Sequence, residues 1–277
     1  MSGSVFEVKG LVYSYPGGAP VLKDVSFTVG EGERVAILGA NASGKSTLLH
    51  LLDGLLFASA GSVVALGTRL TEESVEAPPF SREFRRTIGF LFQNSDAQLF
   101  CPTVEEELAF GPLQLGLSEE QIGQRVSDIL ALIGIEPLRH RSPQTLSGGE
   151  KKKVALAALL TCGPRVILMD EPSASLDPRT QQWLAEFLQG LQSQGITLVM
   201  SSHDLGFIAE TTERALIISE DHRLIYDGPV SEALRDLDLL LSANLIHAHA
   251  HTHDGLVHTH PHLHEIWHGH GHDKQDR

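Results

Sequence analysis

The chain has 277 residues, of which 42% are hydrophobic, and this suits one large α/β domain or two small ones. Its 35 acidic residues outnumber its 21 lysines and arginines, and the formal charge of −14 argues against a nucleic-acid binder, which neutralises phosphates with basic residues. The N-terminus lacks the basic and apolar regions of a signal peptide, and the longest apolar run, 154–162, is too short to span a membrane. We therefore expect a cytosolic chain that does not cross a membrane by itself.

The first third of the sequence predicts an antiparallel β subdomain followed by a strand and a helix. The segments FEVKGLVYSY and VLKDVSFTV alternate apolar and polar residues on either side of Pro16-Gly17-Gly18. The run RVAILG, residues 34–39, is short, apolar and ends in glycine, which is typical of a buried strand. Residues 46–56 then have the apolar spacing of a helix.

The rest of the chain alternates helices and strands until it changes character near residue 246. Residues 103–145 predict a helical insertion. After it come a helix, a strand, a helix and two further strands, at 154–163, 165–170, 183–195, 196–204 and 215–220. Such alternation predicts a parallel sheet that is covered by helices.

The loop between the first buried strand and its helix reads GANASGKST and matches the pattern G-x-x-x-x-G-K-[ST]. Its glycines let backbone N–H groups converge on phosphate oxygens at the amino end of a helix, where the dipole favours anions. In this context the loop predicts a nucleotide site, with Lys45 at the terminal phosphates and the Ser46 hydroxyl on Mg²⁺. The predicted nucleotide contacts of the loop are Gly39, Asn41, Gly44, Lys45, Ser46 and Thr47.

Two carboxylates follow a later apolar strand in VILMDEP, residues 166–172. Asp170 is expected to bind Mg²⁺ directly or through a water. Glu171 is placed to orient and deprotonate an attacking water, which phosphoryl transfer requires. The alternative for this pair is a solvated strand end without a chemical role.

The segment LSGGE, residues 146–150, places Ser147, Gly148 and Gly149 at a second helix start that suits an anion. With LSGGE between the phosphate loop and VILMDEP, residues 4–235 resemble the ABC-type ATPases. The resemblance implies MgATP hydrolysis by a P-loop α/β fold, with a RecA-like parallel-sheet core, an antiparallel β subdomain and a helical subdomain. It also implies a head-to-tail dimer, in which the LSGGE signature of one chain closes on the nucleotide held by the other.

Further roles are implied by the same resemblance. Tyr15 matches the aromatic residue that stacks on adenine, with a core or turn tyrosine as the alternative. Gln93 matches the glutamine that touches Mg²⁺ and water and senses the membrane partner, with a surface amide as the alternative. Asp177 matches a residue at the dimer interface, and His203 matches the histidine that contacts the γ-phosphate and helps hold Glu171 and water. The implied catalytic residues are Lys45, Gln93, Glu171 and His203, and the implied Mg²⁺ ligands are Ser46, Gln93 and Asp170.

The residues that follow Gln93 are similar to the energy-coupling-factor branch of this family. Gln98, Leu99 and Phe100 match its QLF segment, and a TVEEELAFGP run follows. This segment is expected to face the coupling helices of integral membrane transporter subunits. The resemblance therefore implies a peripheral ATPase on the cytoplasmic face of the membrane, as a homodimer or a heterodimer, without nucleic acid. The three lysines Lys151–Lys153 are expected to be solvated or partner-facing surface.

The C-terminal tail holds eleven of the fifteen histidines. Importers of this branch include a cobalt and nickel group as well as vitamin importers, and imidazole suits both metals. The tail has too few large apolar residues to pack a core, so we expect it to be disordered without metal. The predicted metal ligands are His247, His249, His251, His253, His258, His260, His262, His264, His268, His270 and His272. An unreactive solvated tail and a purification tag are the alternatives.

The prediction is an ATPase that energises import of nickel or cobalt, with ATP and Mg²⁺ as cofactors and Ni²⁺ or Co²⁺ on the tail. It divides the chain into an ATPase domain at 1–235, a linker helix at 236–246 and a histidine-rich tail at 247–277. Three alternatives stay open: a vitamin importer ATPase, a soluble ABC-type ATPase with a metal-buffering tail, and a histidine-rich GTPase-like metallochaperone. The last should lack LSGGE and the histidine that stands at His203.

Overall fold

The computed structural model describes residues 3–253 and 256–262. In chain order the elements of the first half are β1 (Ser4–Ser14), β2 (Pro20–Gly30), β3 (Arg34–Leu38), α1 (Lys45–Leu52), β4 (Ala60–Ala65), β5 (Thr68–Arg69), α2 (Glu72–Glu76), α3 (Phe80–Thr87), β6 (Ile88–Leu91), α4 (Val104–Gln114) and α5 (Glu119–Ile133). Those of the second half are α6 (Gly148–Thr161), β7 (Val166–Asp170), α7 (Pro178–Gln192), β8 (Thr197–Ser201), α8 (Leu205–Thr211), β9 (Arg214–Ile218), β10 (Leu224–Pro229), α9 (Val230–Ala233), α10 (Leu237–Ser242), β11 (His247–His253) and β12 (Leu256–His262).

A six-stranded sheet forms the centre of the fold, in the order β10-β9-β3-β8-β7-β6. Its strands pair in parallel except for β9 with β10, which pair antiparallel. Both faces are covered, because alternate residues of β3 enter different apolar clusters. Ala36 and Leu38 join the cluster on the side of α4 to α8, while Val35 and Ile37 join the cluster of β1, β2 and α1. The predicted parallel, covered sheet is confirmed.

The antiparallel subdomain is larger than the sequence predicted. Its strand order is β2-β1-β4-β5, so β1 pairs with β2 on one edge and with β4 on the other. The strands β4 and β5 were not predicted because they are short and lie between glycines and small residues. Gly61, with a φ of +77°, approaches the Gly10 carbonyl too closely for any side chain. The close pairing of β1 and β4 therefore depends on this glycine.

The predicted helical insertion consists of α4 and α5 with short 3-10 turns around them. Thr103 caps α4 by accepting a hydrogen bond from Glu106 N, and Ser118 caps α5 in the same way through Gln121 N. Gly134, with a φ of +74°, ends α5 in the left-handed conformation. Both helices pack on α6 through a shared apolar cluster, so the insertion is fixed to the helix that follows LSGGE.

Two predicted boundaries differ from the structure. The first helix ends at Leu52 rather than 56, because Gly54 has a φ of +63° and turns the chain away. The segment 236–246 contains the expected helix, α10, but it is not a free linker. Four of its apolar residues are buried in the main core, Leu240, Ala243, Leu245 and Ile246, while Leu237 and Leu241 are exposed. This segment therefore packs into the main core through these four residues.

The first part of the histidine-rich tail forms a hairpin. The strands β11 and β12 pair with each other in a two-stranded antiparallel sheet of their own. An isolated two-stranded hairpin is marginally stable in water, so disorder of the tail without metal stays a prediction. Residues 254–255 and 263–277 lie outside the described residues, and with them His264, His268, His270 and His272.

Candidate active site

The phosphate loop, the two predicted carboxylates and His203 lie at one edge of the central sheet. The phosphate loop follows β3, Asp170 ends β7, and His203 lies two residues after β8. These three strands are neighbours in the sheet and run parallel, so their carboxyl ends meet. In open α/β sheets this edge is where ligands bind.

The phosphate loop takes a shape that only glycine allows at two positions. Gly39 has a φ of +153°, and a Cβ there would collide with the Ile218 carbonyl oxygen and the Ser43 hydroxyl. Gly44 has a φ of +110°, and its Cβ would lie 2.5 Å from the Val21 carbonyl oxygen. The loop is therefore packed against β9 and β2, and α1 begins immediately after it at Lys45.

Lys45 is 6% exposed and points back along the phosphate loop. Its Nζ donates hydrogen bonds to the carbonyl oxygens of Gly39 at 2.9 Å and Ala40 at 3.1 Å, and it lies 3.8 Å from Glu171 Oε1. Burial lowers the pKa of Lys45, and the nearby carboxylates of Glu171 and Asp170 act in the opposite direction. Among the described residues, the Lys45 ammonium is thus bound only to two carbonyl oxygens and a distant carboxylate.

The oxygens at this edge suit a hard divalent cation. Ser46 Oγ donates to Asp170 Oδ1 at 3.0 Å, and Ser201 Oγ donates to the same atom. Ser43 Oγ is buried within the loop and has no hydrogen-bond partner in the described part of the chain. Mg²⁺ prefers hydroxyl and carboxylate oxygens, and a polar atom without a partner is typical of a loop that binds an anion. The residues therefore fit MgATP.

Glu171 is held in a strained and well-defined position. It is buried, has a φ of +45°, and its backbone N donates to Ser201 Oγ at 3.0 Å. Its Oε2 accepts from His203 N at 3.3 Å and lies 2.8 Å from His203 Nδ1. A non-glycine residue with left-handed backbone angles costs conformational free energy, and such residues often mark functional sites. The structure thus brings Lys45, Glu171 and His203 together, although they are far apart in sequence.

Two further predicted nucleotide contacts are exposed, Tyr15 beside the loop and Asn41 within it. Tyr15 is 44% exposed, and its hydroxyl lies 3.1 Å from Thr47 Oγ1. Its ring packs edge-on against Tyr13 at 5.1 Å, which leaves a free aromatic face near the start of α1. Asn41 is exposed at the tip of the loop.

The signature and Asp177 make local contacts. Ser147 caps α6, and its N and Oγ both donate to Glu150 Oε2, at 2.8 and 2.9 Å. Asp177 caps α7 by accepting from Arg179 N and Thr180 N. No hydrogen bond within the described residues joins Ser147 or Asp177 to Lys45 or Glu171. Gly148 and Gly149 begin the same helix, and Ser147, Gly148 and Asp177 are exposed.

The lysines after LSGGE were predicted to be solvated or partner-facing, and this is wrong for Lys152. Lys152 is 3% exposed, and its Nζ donates to the carbonyl oxygens of Gln93 at 2.9 Å and Phe92 at 3.3 Å. Burial lowers its pKa to about 8. Helical spacing could have revealed this, since Lys152 lies four residues before the buried Leu156. On either side, Lys151 binds Asp96 and Lys153 lies 4.4 Å from the centre of the Trp183 ring.

Ser201 is a site residue that the sequence analysis missed. It lies opposite Asp170 in the register of β7 and β8, and it contacts both carboxylate residues. Its signal in the sequence is its place at the end of a buried strand. His222 was also missed, and its Nδ1 lies 3.2 Å from the Ser43 carbonyl oxygen, behind the phosphate loop.

Known proteins match both the sequence and the fold. Residues 22–174 match the family described as ABC transporter. The nickel import ATP-binding protein NikO of Rhodobacter capsulatus is 46% identical, over 87% of this chain and 95% of its own. The energy-coupling factor transporter ATP-binding protein EcfA of Methanothermobacter thermautotrophicus is 41% identical, over 87% of this chain and 76% of its own.

A solved structure agrees with these matches. CbiO1 from Clostridium perfringens, part of the ABC transporter complex cbiONQ, has a TM-score of 0.75 and 32% identity, covering 87% of this chain and 95% of CbiO1. ATPases of this kind use ATP and Mg²⁺ and work as dimers with membrane transporter components. The chain therefore belongs to the ABC transporter family, as an ATP-hydrolysing subunit of its energy-coupling-factor branch.

Proposed function

We propose that this chain hydrolyses MgATP to energise import of a divalent transition metal, nickel or cobalt, from the cytoplasmic face of the membrane. The observation that carries the chemistry is the buried Glu171 carboxylate, which lies between Lys45 and His203. Glu171 orients and deprotonates the attacking water, and His203 holds Glu171 through Nδ1 and contacts the γ-phosphate. Lys45 exchanges its two carbonyl partners for the terminal phosphates of ATP.

Residues at the same edge of the sheet would contact the Mg²⁺ ion and the adenine ring of ATP. Ser46, Asp170 and the Gln93 side chain would hold Mg²⁺, which when bound neutralises charge on the β- and γ-phosphates. Tyr15 offers its free face to adenine. The backbone amides of the phosphate loop, from Gly39 through Asn41 and Gly44 to Thr47, surround the phosphates.

We propose a head-to-tail dimer in which the signature acts on the partner's ATP. Two observations support this arrangement. Ser147 and Gly148 are exposed at the start of α6, and Asp177 is exposed at the start of α7. Both have only local partners within the described chain, so their free surface is available to a second subunit. In the dimer, the Ser147 amide and hydroxyl would release the Glu150 carboxylate and donate hydrogen bonds to the γ-phosphate of the ATP that the partner holds.

A pair of exposed aromatic rings supports docking on a membrane subunit. Phe100 is 62% exposed and Phe110 is 42% exposed, and their rings meet edge-on at 4.9 Å. The buried Glu107 fixes this pair, since its Oε2 accepts from Phe100 N at 2.8 Å and from Cys101 N at 2.7 Å. Clustered exposed aromatic residues are typical of protein interfaces.

None of the helices within 3–253 and 256–262 is long and apolar enough to cross a membrane.

We expect the double variant Phe100→Ser and Phe110→Ser to hydrolyse ATP within about twofold of the wild-type rate, because neither ring contacts the nucleotide site. Its capture by the membrane subunits should fall by about tenfold or more, because interface aromatics carry much of the binding energy. Co-purification from detergent extracts measures this loss. Leu132→Ser, on the exposed side of α5, is the matched control. Equal capture of both variants would place the docking surface elsewhere.

The metal cargo is supported by the tail and by the relatives. In the hairpin register His247 lies opposite His262, His249 opposite His260, and His251 opposite His258. Directly opposite and alternate residues of a hairpin share one face, so this backbone places several imidazole-bearing positions together. Imidazole binds Ni²⁺ and Co²⁺ well. A named relative is a nickel import protein, which agrees with this cargo.

We expect the assembled transporter to take up Ni²⁺ or Co²⁺ in an ATP-dependent manner. A chain that ends at Ile246 should fold and hydrolyse ATP as the full chain does, because the buried core and every proposed nucleotide contact precede the tail. The shorter chain should bind fewer Ni²⁺ ions in calorimetric titration, and its uptake should suffer most at scarce metal. A full-length chain with asparagine in place of His247, His249 and His251 is the control for length.

Two outcomes would overturn parts of this proposal. If vesicles with the complex take up neither metal but accumulate a vitamin, the cargo is wrong while the ATPase assignment stands. If the full and shortened chains bind equal numbers of Ni²⁺ ions, the tail is not a metal site.

A further inference from the structure

A second buried lysine lies near the nucleotide site without a role in it. Among the described residues only Lys45 and Lys152 are buried lysines. Burial of an ammonium group is costly unless hydrogen bonds compensate it, so such a group is retained only where it has good partners. Lys45 lies in the phosphate loop, where it is proposed to bind ATP, whereas Lys152 donates to the backbone carbonyls of Phe92 and Gln93, outside that loop.

These two carbonyls belong to residues 92–98, the first part of the segment between β6 and α4, which we call the glutamine loop. The loop is closed on itself, because the Gln98 side chain accepts from Phe92 N at 3.2 Å and donates to the Phe90 carbonyl oxygen at 3.3 Å. The loop is also attached to α6, through Lys152 and through the contact of Lys151 with Asp96, and its Phe92 ring lies near His50 of α1. Because the loop is short and closed, a force on its first two carbonyls acts on the whole loop.

The helix that carries Lys152 also carries the signature. Ser147 caps α6, and Lys152 lies five residues later, little more than one turn away. Any movement of the signature toward a partner's nucleotide therefore moves the Lys152 ammonium and the carbonyls bound to it. Gln93 is one of those two residues, so its side chain is placed by the same contact.

We propose that Lys152 is a positioning residue, which ties the backbone of Phe92 and Gln93 to the signature helix, so that closure at the signature sets the position of Gln93. Within the described residues the hydrogen bonds of the ammonium go to the glutamine loop, while the Asp170 carboxylate acts on it through charge alone. The proposal rests on the proposed role of Gln93 in turnover, and it does not depend on the transported cargo.

The test compares Lys152→Met with Lys153→Met in the full chain. Both changes remove one lysine charge from α6, but Lys153 contacts Trp183 rather than the glutamine loop. Methionine keeps most of the apolar stem, and removal of the cost of a buried ammonium group offsets the loss of its two hydrogen bonds to carbonyl oxygens. We therefore expect Lys152→Met to melt no lower than the wild type.

Lys152→Met should lower kcat by about tenfold and leave KM for ATP within about twofold, because loose placement affects turnover more than binding. Deuterium uptake of peptides from residues 90–99 should rise, while uptake at the phosphate loop should not. Lys152→Arg, which keeps a charged donor, should restore part of the lost kcat. Lys153→Met should resemble the wild type in all four measurements.

Three outcomes separate the possible failures. Unchanged deuterium uptake at 90–99 in Lys152→Met overturns the proposal, since the contact would then not hold the loop. Raised uptake with an unchanged kcat also overturns it, provided that Gln93→Ala lowers kcat. If Gln93→Ala itself has the wild-type kcat, the proposed role of Gln93 in turnover is wrong, and the link from Lys152 to turnover falls with it.

Discussion

Glu171→Gln is expected to bind MgATP as the wild type does but to hydrolyse it at least about 100-fold more slowly. Glutamine has the same shape and can keep a hydrogen bond to the backbone N of His203, but its amide oxygen cannot act as a base near neutral pH. The nucleotide clamp should therefore close without turnover. A stable dimer should appear on addition of ATP, and size-exclusion chromatography with light scattering detects it.

The matched control for this variant is Glu186→Gln, an exposed position on α7 whose side chain, within the described residues, is hydrogen-bonded only to Gln182. It should show wild-type turnover and no trapped dimer. Hydrolysis at the wild-type rate in Glu171→Gln would remove Glu171 from the role of base. Slow hydrolysis without an ATP-dependent dimer would instead contradict the head-to-tail arrangement.

The nucleotide site could be predicted from the sequence because its residues are tied to strand ends. The phosphate loop and VILMDEP each follow a buried apolar run, and a parallel sheet brings such ends to one edge. The distances among Lys45, Glu171 and His203 follow from the strand order β3-β8-β7, which periodicity does not specify. Ser201 was missed for this reason, since only the register sets it beside Asp170.

Features that depend on tertiary packing were the ones that the sequence did not predict. Lys152 belongs to a run of three lysines, and charge runs in sequences are usually solvated. Its burial comes from the loop after β6, which lies over α6 and supplies the two carbonyl partners of the ammonium. The segment that ends at Ile246 was predicted as a linker for a similar reason, because its few leucines form a helix too short to show a strong apolar face. Both errors concern which surface a helix meets, not whether the helix exists.

The largest effect on nucleotide binding is expected from Lys45→Met, which should weaken MgATP affinity by about 100-fold or more. In the described structure the Lys45 ammonium is bound to the Gly39 and Ala40 carbonyls, so a bound phosphate must be a better partner than these. A charge-assisted bond to phosphate in a site that excludes water meets this condition. Methionine fills the same space but offers no donor.

The same change should leave the nucleotide-free protein about as stable as before, and this separates loss of binding from loss of folding. Lys45→Met removes two hydrogen bonds to carbonyls, but it also removes the cost of burying a charge. Glu171 loses a cation that lies 3.8 Å away and keeps its contacts with His203. Without nucleotide, Lys45→Met and the wild type should therefore have similar melting temperatures. Added MgATP should raise the melting temperature of the wild type but not that of Lys45→Met. Lys23→Met on β2 is the control for charge, and it should retain the full stabilisation by MgATP. If Lys45→Met is stabilised by MgATP as strongly as this control, Lys45 does not hold the phosphates.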